Sequence, residues 1–159
     1  MIHGSDLNLE DDNDLTQWSQ YLRKEMIDVV DEHLLIRIRI QTIIDNGVFT
    51  EISDRKDIKS IDDYKKALMN EEKKMWGLEL ELAILSIVLD APLVVLNHTG
   101  AAADKIVTGK NYFPAQTLTN KPIVMWFLNG HYECVCPEAS YEWDLFRESL
   151  ISTPTAVAM

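Results

Sequence analysis

The sequence predicts an α/β chain in the broad, α+β sense: a small central β-sheet with helices packed around it. Three observations carry this. Apolar residues recur at helical spacing between Leu15 and Val30 and again between Ile61 and Met69. A nearly all-apolar segment from Leu78 to Leu89 then runs into Leu93-Val94-Val95-Leu96, a short continuous apolar stretch of the kind that fills an interior strand. Finally, Pro122 to Leu128 is dense in apolar residues, Asn129-Gly130 is a favoured two-residue hairpin turn, and His131 to Cys136 is the returning strand.

Taken in order, residues 1–14 show neither helical nor strand periodicity and, with the run Glu10-Asp11-Asp12-Asn13-Asp14, read as a disordered or solvated lead-in. Asp14 suits the N-cap of a first helix whose apolar face is Leu15, Trp18, Leu22, Met26, Val29 and Val30. The segment Leu34 to Ile44 fits two patterns. Ile36, Ile38 and Ile40 alternate with polar residues as in a strand, while Ile40, Ile43 and Ile44 suit a helix; either way Asn46-Gly47 ends it. After a mixed, charged stretch from Val48 to Ser60, Ile61, Tyr64, Leu68 and Met69 mark a second amphipathic helix with Asp62 and Asp63 in its first turn, and Trp76-Gly77 breaks it.

The helix from Leu78 to Leu89 is apolar apart from Glu79, Glu81 and Ser86, so it belongs in the core with its exposed edge near the N-terminus; Ala91-Pro92 stops it. The loop-rich section from Asn97 to Lys121 holds one short strand around Ile106-Val107. Pro137 ends the hairpin, Glu142 to Leu150 suits a short terminal helix, and residues 151–159 form a flexible tail. Residues 15–150 therefore read as a single domain, with Leu82, Leu85, Leu89, Val94, Val95 and Trp126 expected in one contiguous core.

Several functions are excluded by composition. The 159 residues carry 26 Asp and Glu against 15 Lys and Arg, a net charge of −11, and the densest basic pair, Lys73-Lys74, directly follows Glu71-Glu72, so no nucleic-acid partner is expected. The longest apolar stretch, Leu82 to Leu96, is interrupted by Ser86, Asp90 and Pro92, and no membrane partner is expected either. The acidic start is unlike a signal peptide, and the only two cysteines, Cys134 and Cys136, cannot build a disulfide framework, which fits the cytoplasm or another reducing compartment. Gly109-Lys110 lacks the preceding glycine of a phosphate loop, and His3, His33 and His98 lack metal-ligand spacing, so neither cofactor nor metal is expected. Asn97-His98-Thr99 has the form of a glycosylation acceptor but reads as a polar loop after a strand.

Alternation along the returning strand puts His131, Glu133 and Val135 on one side and Tyr132, Cys134 and Cys136 on the other. Histidine and carboxylate thus share a face, an arrangement in which an acid orients an imidazole and stabilises its cation. The same alternation turns both thiols away and leaves them as small buried hydrophobes. Trp76 and Tyr132 are read as packing residues, and Glu71, Glu72, Glu79 and Glu81 as solvated helix positions.

Leu22-Arg23-Lys24, Tyr64, Trp76-Gly77 ahead of Leu80-Glu81-Leu82, Leu93-Val94-Val95-Leu96 and Asn129-Gly130-His131-Tyr132-Glu133, taken together and in this order from about Leu15 to Cys136, resemble the ovarian-tumour (OTU) family of cysteine deubiquitinases. The resemblance implies a papain-type cysteine protease architecture, ubiquitin or a ubiquitin-like protein as partner, and no cofactor. It makes His131 the catalytic base and puts Glu133 in the orienting position, where family members usually have Asp or Asn. The family's nucleophile is a cysteine in an Asp-Gly-Asp/Asn-Cys motif that opens an apolar helix ahead of the Leu-Arg helix, and no cysteine precedes Cys134 here. Ser5 sits near that place, but Asp6-Leu7-Asn8-Leu9-Glu10-Asp11 lacks the apolar helix that should follow. What the resemblance implies is accordingly a deubiquitinase domain incomplete at its N-terminus or a catalytically inactive ubiquitin- or protein-binding module, and the chain alone is expected to be inactive.

Overall fold

The computed structural model describes residues 12–70, 75, 77–98, 103–108, 120–128 and 130–134. They form two compact units that meet in sequence between Gly77 and Leu78. Together they make a mixed α+β chain of four helices, one 3-10 turn and one four-stranded sheet. Among the described residues no helix is long and apolar enough to cross a membrane. The expected lead-in up to residue 11, the pairs Glu71-Glu72 and Lys73-Lys74, Trp76, Cys136, the terminal helix and the tail lie outside the described residues.

The first unit is helical. α1 spans Asp12–Glu32, starting ahead of the expected cap, so Asp12 and Asp14 both fall in its first turn where the helix dipole favours carboxylates. A single extended residue, His33, separates it from α2, Leu34–Asp45. The ambiguous isoleucine segment is therefore helix. Ile36 and Ile40, four apart, are fully buried while Ile38 between them is exposed, which is helical rather than strand burial. Asn46 and Gly47 end α2, with Gly47 at φ 69° ahead of the 3-10 turn Val48–Glu51. α3, Ile61–Met69, is capped by Ser60, whose Oγ accepts the Asp63 N–H at 3.1 Å.

The core of this unit holds Met26, Val30, Ile36, Ile40, Phe49, Ile58, Tyr64 and Leu68. Phe49 and Tyr64 stack with centroids 5.9 Å apart, and the guanidinium of Arg55, only 1% exposed, lies 5.6 Å from the centre of the Phe49 ring. Periodicity gave no sign of this burial between Val48 and Ser60. A side-chain hydrogen bond from Arg23 Nη1 to the Leu68 carbonyl ties α1 to the end of α3.

The second unit is helix on sheet. α4, Glu79–Val88, is followed by β1 (Leu93–His98), β2 (Ala103–Thr108), β3 (Ile123–Leu128) and β4 (His131–Cys134), in spatial order β2-β1-β3-β4. β1 pairs antiparallel with β2 and parallel with β3, and β3 pairs antiparallel with β4. The end of α4 is a Schellman turn. The Ala91 N–H donates to the Ser86 carbonyl at 3.0 Å and the Asp90 N–H to Ile87 at 3.1 Å, with Asp90 in the left-handed region at φ 50°. Asn120 then clamps this turn, its N–H on the Asp90 carbonyl and its Nδ2 on the Leu89 carbonyl, and aims the chain into β3 beside β1.

One face of the sheet carries Leu93, Val95, Ile123, Met125, Phe127 and Tyr132, and Leu82 and Leu85 of α4, with Leu89 at its C-cap, cover it. The core anticipated from sequence needs correction here. Val94 is fully buried but belongs to the other alternation set, with Leu96, Val124 and Trp126, and Trp126 is 38% exposed. Strand alternation, applied to β1 and β3 together, separates Val94 and Trp126 from the leucines of α4.

Candidate functional site

Residue chemistry concentrates at the β3–β4 hairpin. Leu128 pairs with His131 across a two-residue turn, and Gly130 takes φ 82°, the conformation that Asn-Gly turns require and that a side chain would strain. His131 is thereby the first residue of β4, with an exposed side chain on a backbone fixed by the ladder to β3. Glu133 occupies the position opposite Trp126, in the same alternation set as His131. Trp126 therefore joins the two candidate residues on one face, as an exposed indole in the middle of β3. It was expected in the core. Its neighbours in the strand are apolar, and the register of β3 against β1 and β4 distinguishes it.

The opposite face explains why His131 stands where it does. Tyr132 is half-buried, and its ring lies 4.9 Å from that of Phe127, tilted by 44°. It packs against the Leu82–Met125 core, as the alternation predicts. Burial pushes the Tyr132 phenol above its ordinary range, and the nearby negative charge of Glu81 adds to this. Glu81 itself is a correction to the sequence reading, which treated it as a solvated position. It is 6% exposed, because its Oε2 reaches back to accept the Leu78 N–H at 2.8 Å and so satisfies the first turn of α4. Its neighbour Glu79 is exposed, as expected.

Cys134 stands opposite Met125 and two positions from Tyr132, in the alternation set of the packed face rather than that of His131. Ser5, Trp76 and Cys136 fall outside the described residues. Among the other residues quoted for the OTU resemblance, Tyr64 is a fully buried core residue and Arg23 a helix-to-helix tie, so both act on packing. The site accordingly offers an exposed imidazole, a carboxylate position two residues on, and an exposed aromatic ring in the same alternation set. Comparison with protein-family models, with curated proteins and with solved structures finds no match for this chain.

Proposed function

We propose that this chain is an OTU-type isopeptidase domain acting on conjugates of ubiquitin or a ubiquitin-like protein, with His131 as general base and Glu133 as the carboxylate that orients it. The observation that carries this reading is the hairpin. An exposed histidine opens β4 on the sheet face opposite α4, held in place by the packing of Tyr132 behind it. In such a mechanism the imidazole takes the proton of a thiol, and the resulting thiolate attacks the scissile carbonyl. Glu133 would steady the imidazolium through its second ring nitrogen, its extra methylene relative to aspartate shifting the geometry of that contact. Cys134 stands in the alternation set opposite to that of His131, and the sequence pattern expects Cys136 there too, so this reading assigns His131 as base and leaves the nucleophile unassigned.

A second reading is favoured by that same want of an assigned thiol: an OTU-like module that binds ubiquitin or another protein without cleaving it. An Asp-Gly-x-Cys motif in the reading frame ahead of Met1 separates the two. For the chain itself the test is incubation with ubiquitin bearing a C-terminal thiol-reactive group and with ubiquitin dimers, alongside titration of unmodified ubiquitin into the isotopically labelled protein. The expected result is no cleavage, no covalent adduct, and saturable shifts of the amide signals of β3 and β4. Absence of any shift on those strands overturns both readings, and cleavage that Cys134→Ser or Cys136→Ser abolishes overturns the assignment of His131 and Glu133.

A further inference from the structure

The sequence holds two Asn-Gly steps, Asn46-Gly47 and Asn129-Gly130, and the first lies where α2 ends. Glycine has no Cβ to shield its own amide nitrogen, so an asparagine ahead of it is open to attack by that nitrogen on the side-chain carbonyl carbon. Asn46 is exposed, which gives water access to it. Two features of the closed fold oppose the reaction. The Gly47 N–H, which must lose its proton to attack, donates to the Ile44 carbonyl at 2.9 Å. Closure of the five-membered ring also needs the Gly47 nitrogen eclipsed with the Asn46 Cβ about the Cα–C bond, whereas ψ of 0° at Asn46 eclipses it with the Asn46 nitrogen instead.

We propose that Asn46 is a site of spontaneous deamidation gated by the C-cap of α2, with water as the co-reactant. When the cap opens, the Gly47 nitrogen gives its proton to solvent and bonds to Asn46 Cγ. The Cγ–Nδ2 bond breaks, ammonia leaves with a proton taken from solvent, and a succinimide remains. One water then adds to either ring carbonyl and breaks its bond to the Gly47 nitrogen, giving aspartate or isoaspartate. Nothing is oxidised or reduced. The gate is a modest one: the last turn of α2 carries Asp45 and no basic residue, against the preference of the helix dipole, and the Gly47 carbonyl is held by Thr50, whose Oγ1 and N–H both donate to it. Either product weakens the cap further. A second carboxylate joins Asp45 at the negative end of the helix, and isoaspartate also lengthens the main chain by one carbon just ahead of Gly47. Loss of ammonia makes the step one-way, so a brief opening is recorded as a lasting change in the end of α2. The inference is independent of the hairpin and of the function proposed for it.

The test incubates the full chain at neutral pH in buffer and, in parallel, in concentrated urea, with peptide mass mapping that separates aspartate from isoaspartate at Asn46. Product is expected in both, formed about tenfold or more slowly in the folded chain. Thr50→Val, which removes one bond to the Gly47 carbonyl, should speed the folded reaction about threefold or more and leave the rate in urea unchanged. Hydrogen exchange at the Gly47 amide should quicken by the same factor, since one opening frees that N–H for both. Asn46→Asp should lower the thermal midpoint. Equal rates in buffer and urea overturn the gate, as does a folded rate that Thr50→Val leaves unchanged or raises without faster Gly47 exchange. Product at Asn46 in urea but none in the folded chain overturns the site, and an unchanged midpoint for Asn46→Asp overturns the lasting change. The comparison of buffer with urea uses the unsubstituted chain, so it decides even where Thr50→Val folds poorly.

Discussion

Phe127 and Tyr132 face each other across the β3–β4 ladder on the side of the sheet that α4 covers, and this pairing commits His131 to the other side. Because the strand period is two, any slip of one residue would exchange their faces. The aromatic pair is thus what fixes the orientation of the candidate base. Single changes of Phe127 or Tyr132 to Ala should be destabilising, and a double-mutant cycle in urea should return a coupling of about 0.5 to 1.5 kcal/mol. A coupling near zero would mean that the rings do not pin the register.

The two faces of the sheet should respond differently to truncation. Leu82 is buried in the cluster with Leu93, Val95 and Met125, so Leu82→Ala should cost roughly 2 to 5 kcal/mol. Leu85, only partly buried, should cost less, and exposed Trp126→Ala least of the three. Thermal or urea denaturation of the three variants checks the order.

Much of this layout was legible in the sequence. The apolar spacing of α1, α3 and α4 and the Asn-Gly signal of the hairpin each arise from local chemistry, and those elements appear close to their expected positions. The isoleucines of α2 were not decidable locally, because alternation and helical spacing coincide over so short a run and only the burial of Ile36 with Ile40 separates them. Trp126 and Val94 were misplaced for a different reason: which face of a strand is covered depends on the helix across it. Glu81 and Arg55 look like surface residues by type, and their burial is accompanied by contacts that sequence does not bring together, among them the Leu78 N–H for Glu81 and the Phe49 ring for Arg55.

The cap of α3 should be sensitive to acid. Hydrogen bonding with the Ser60 side chain, then with the Lys59 N–H, holds the Asp63 carboxyl below its ordinary value. A depressed folded value means that this contribution is present above the unfolded value and is lost as pH falls through the folded one. Ser60→Ala should raise the Asp63 value toward normal in a carboxyl-carbon titration, and loss of the cap should cost about 1 kcal/mol.

Tyr132 should show the opposite dependence. Its phenol is raised above the ordinary 10.0, first by burial and then by Glu81, so stability is retained below pH 10 and lost as pH climbs through the raised value. Glu81→Gln, which keeps an acceptor for the Leu78 N–H, should lower the Tyr132 value only partway, as followed by ultraviolet absorbance. A full return to the ordinary value would show charge, rather than burial, to be dominant.

Asp90 holds a left-handed backbone that β-branched residues resist. Asp90→Val should therefore cost about 1 to 2 kcal/mol and loosen the Schellman turn. Faster hydrogen exchange at the Ala91 amide is the local sign of that change.

The parallel pairing of β1 with β3 also sets an order of events during folding. β3 and β4 are joined by a two-residue turn and can meet within microseconds, whereas Leu93 reaches Ile123 only after the intervening chain, β2 included, has been closed into a loop. The ribbon bearing His131 is thus available early, yet an isolated hairpin is marginal in water. It gains lasting support only when β1 docks along it, carrying α4 over the Tyr132 face. Nucleation that depends on such a sequence-distant contact is slow, and variants at Val95 or Met125 should retard refolding more than they hasten unfolding.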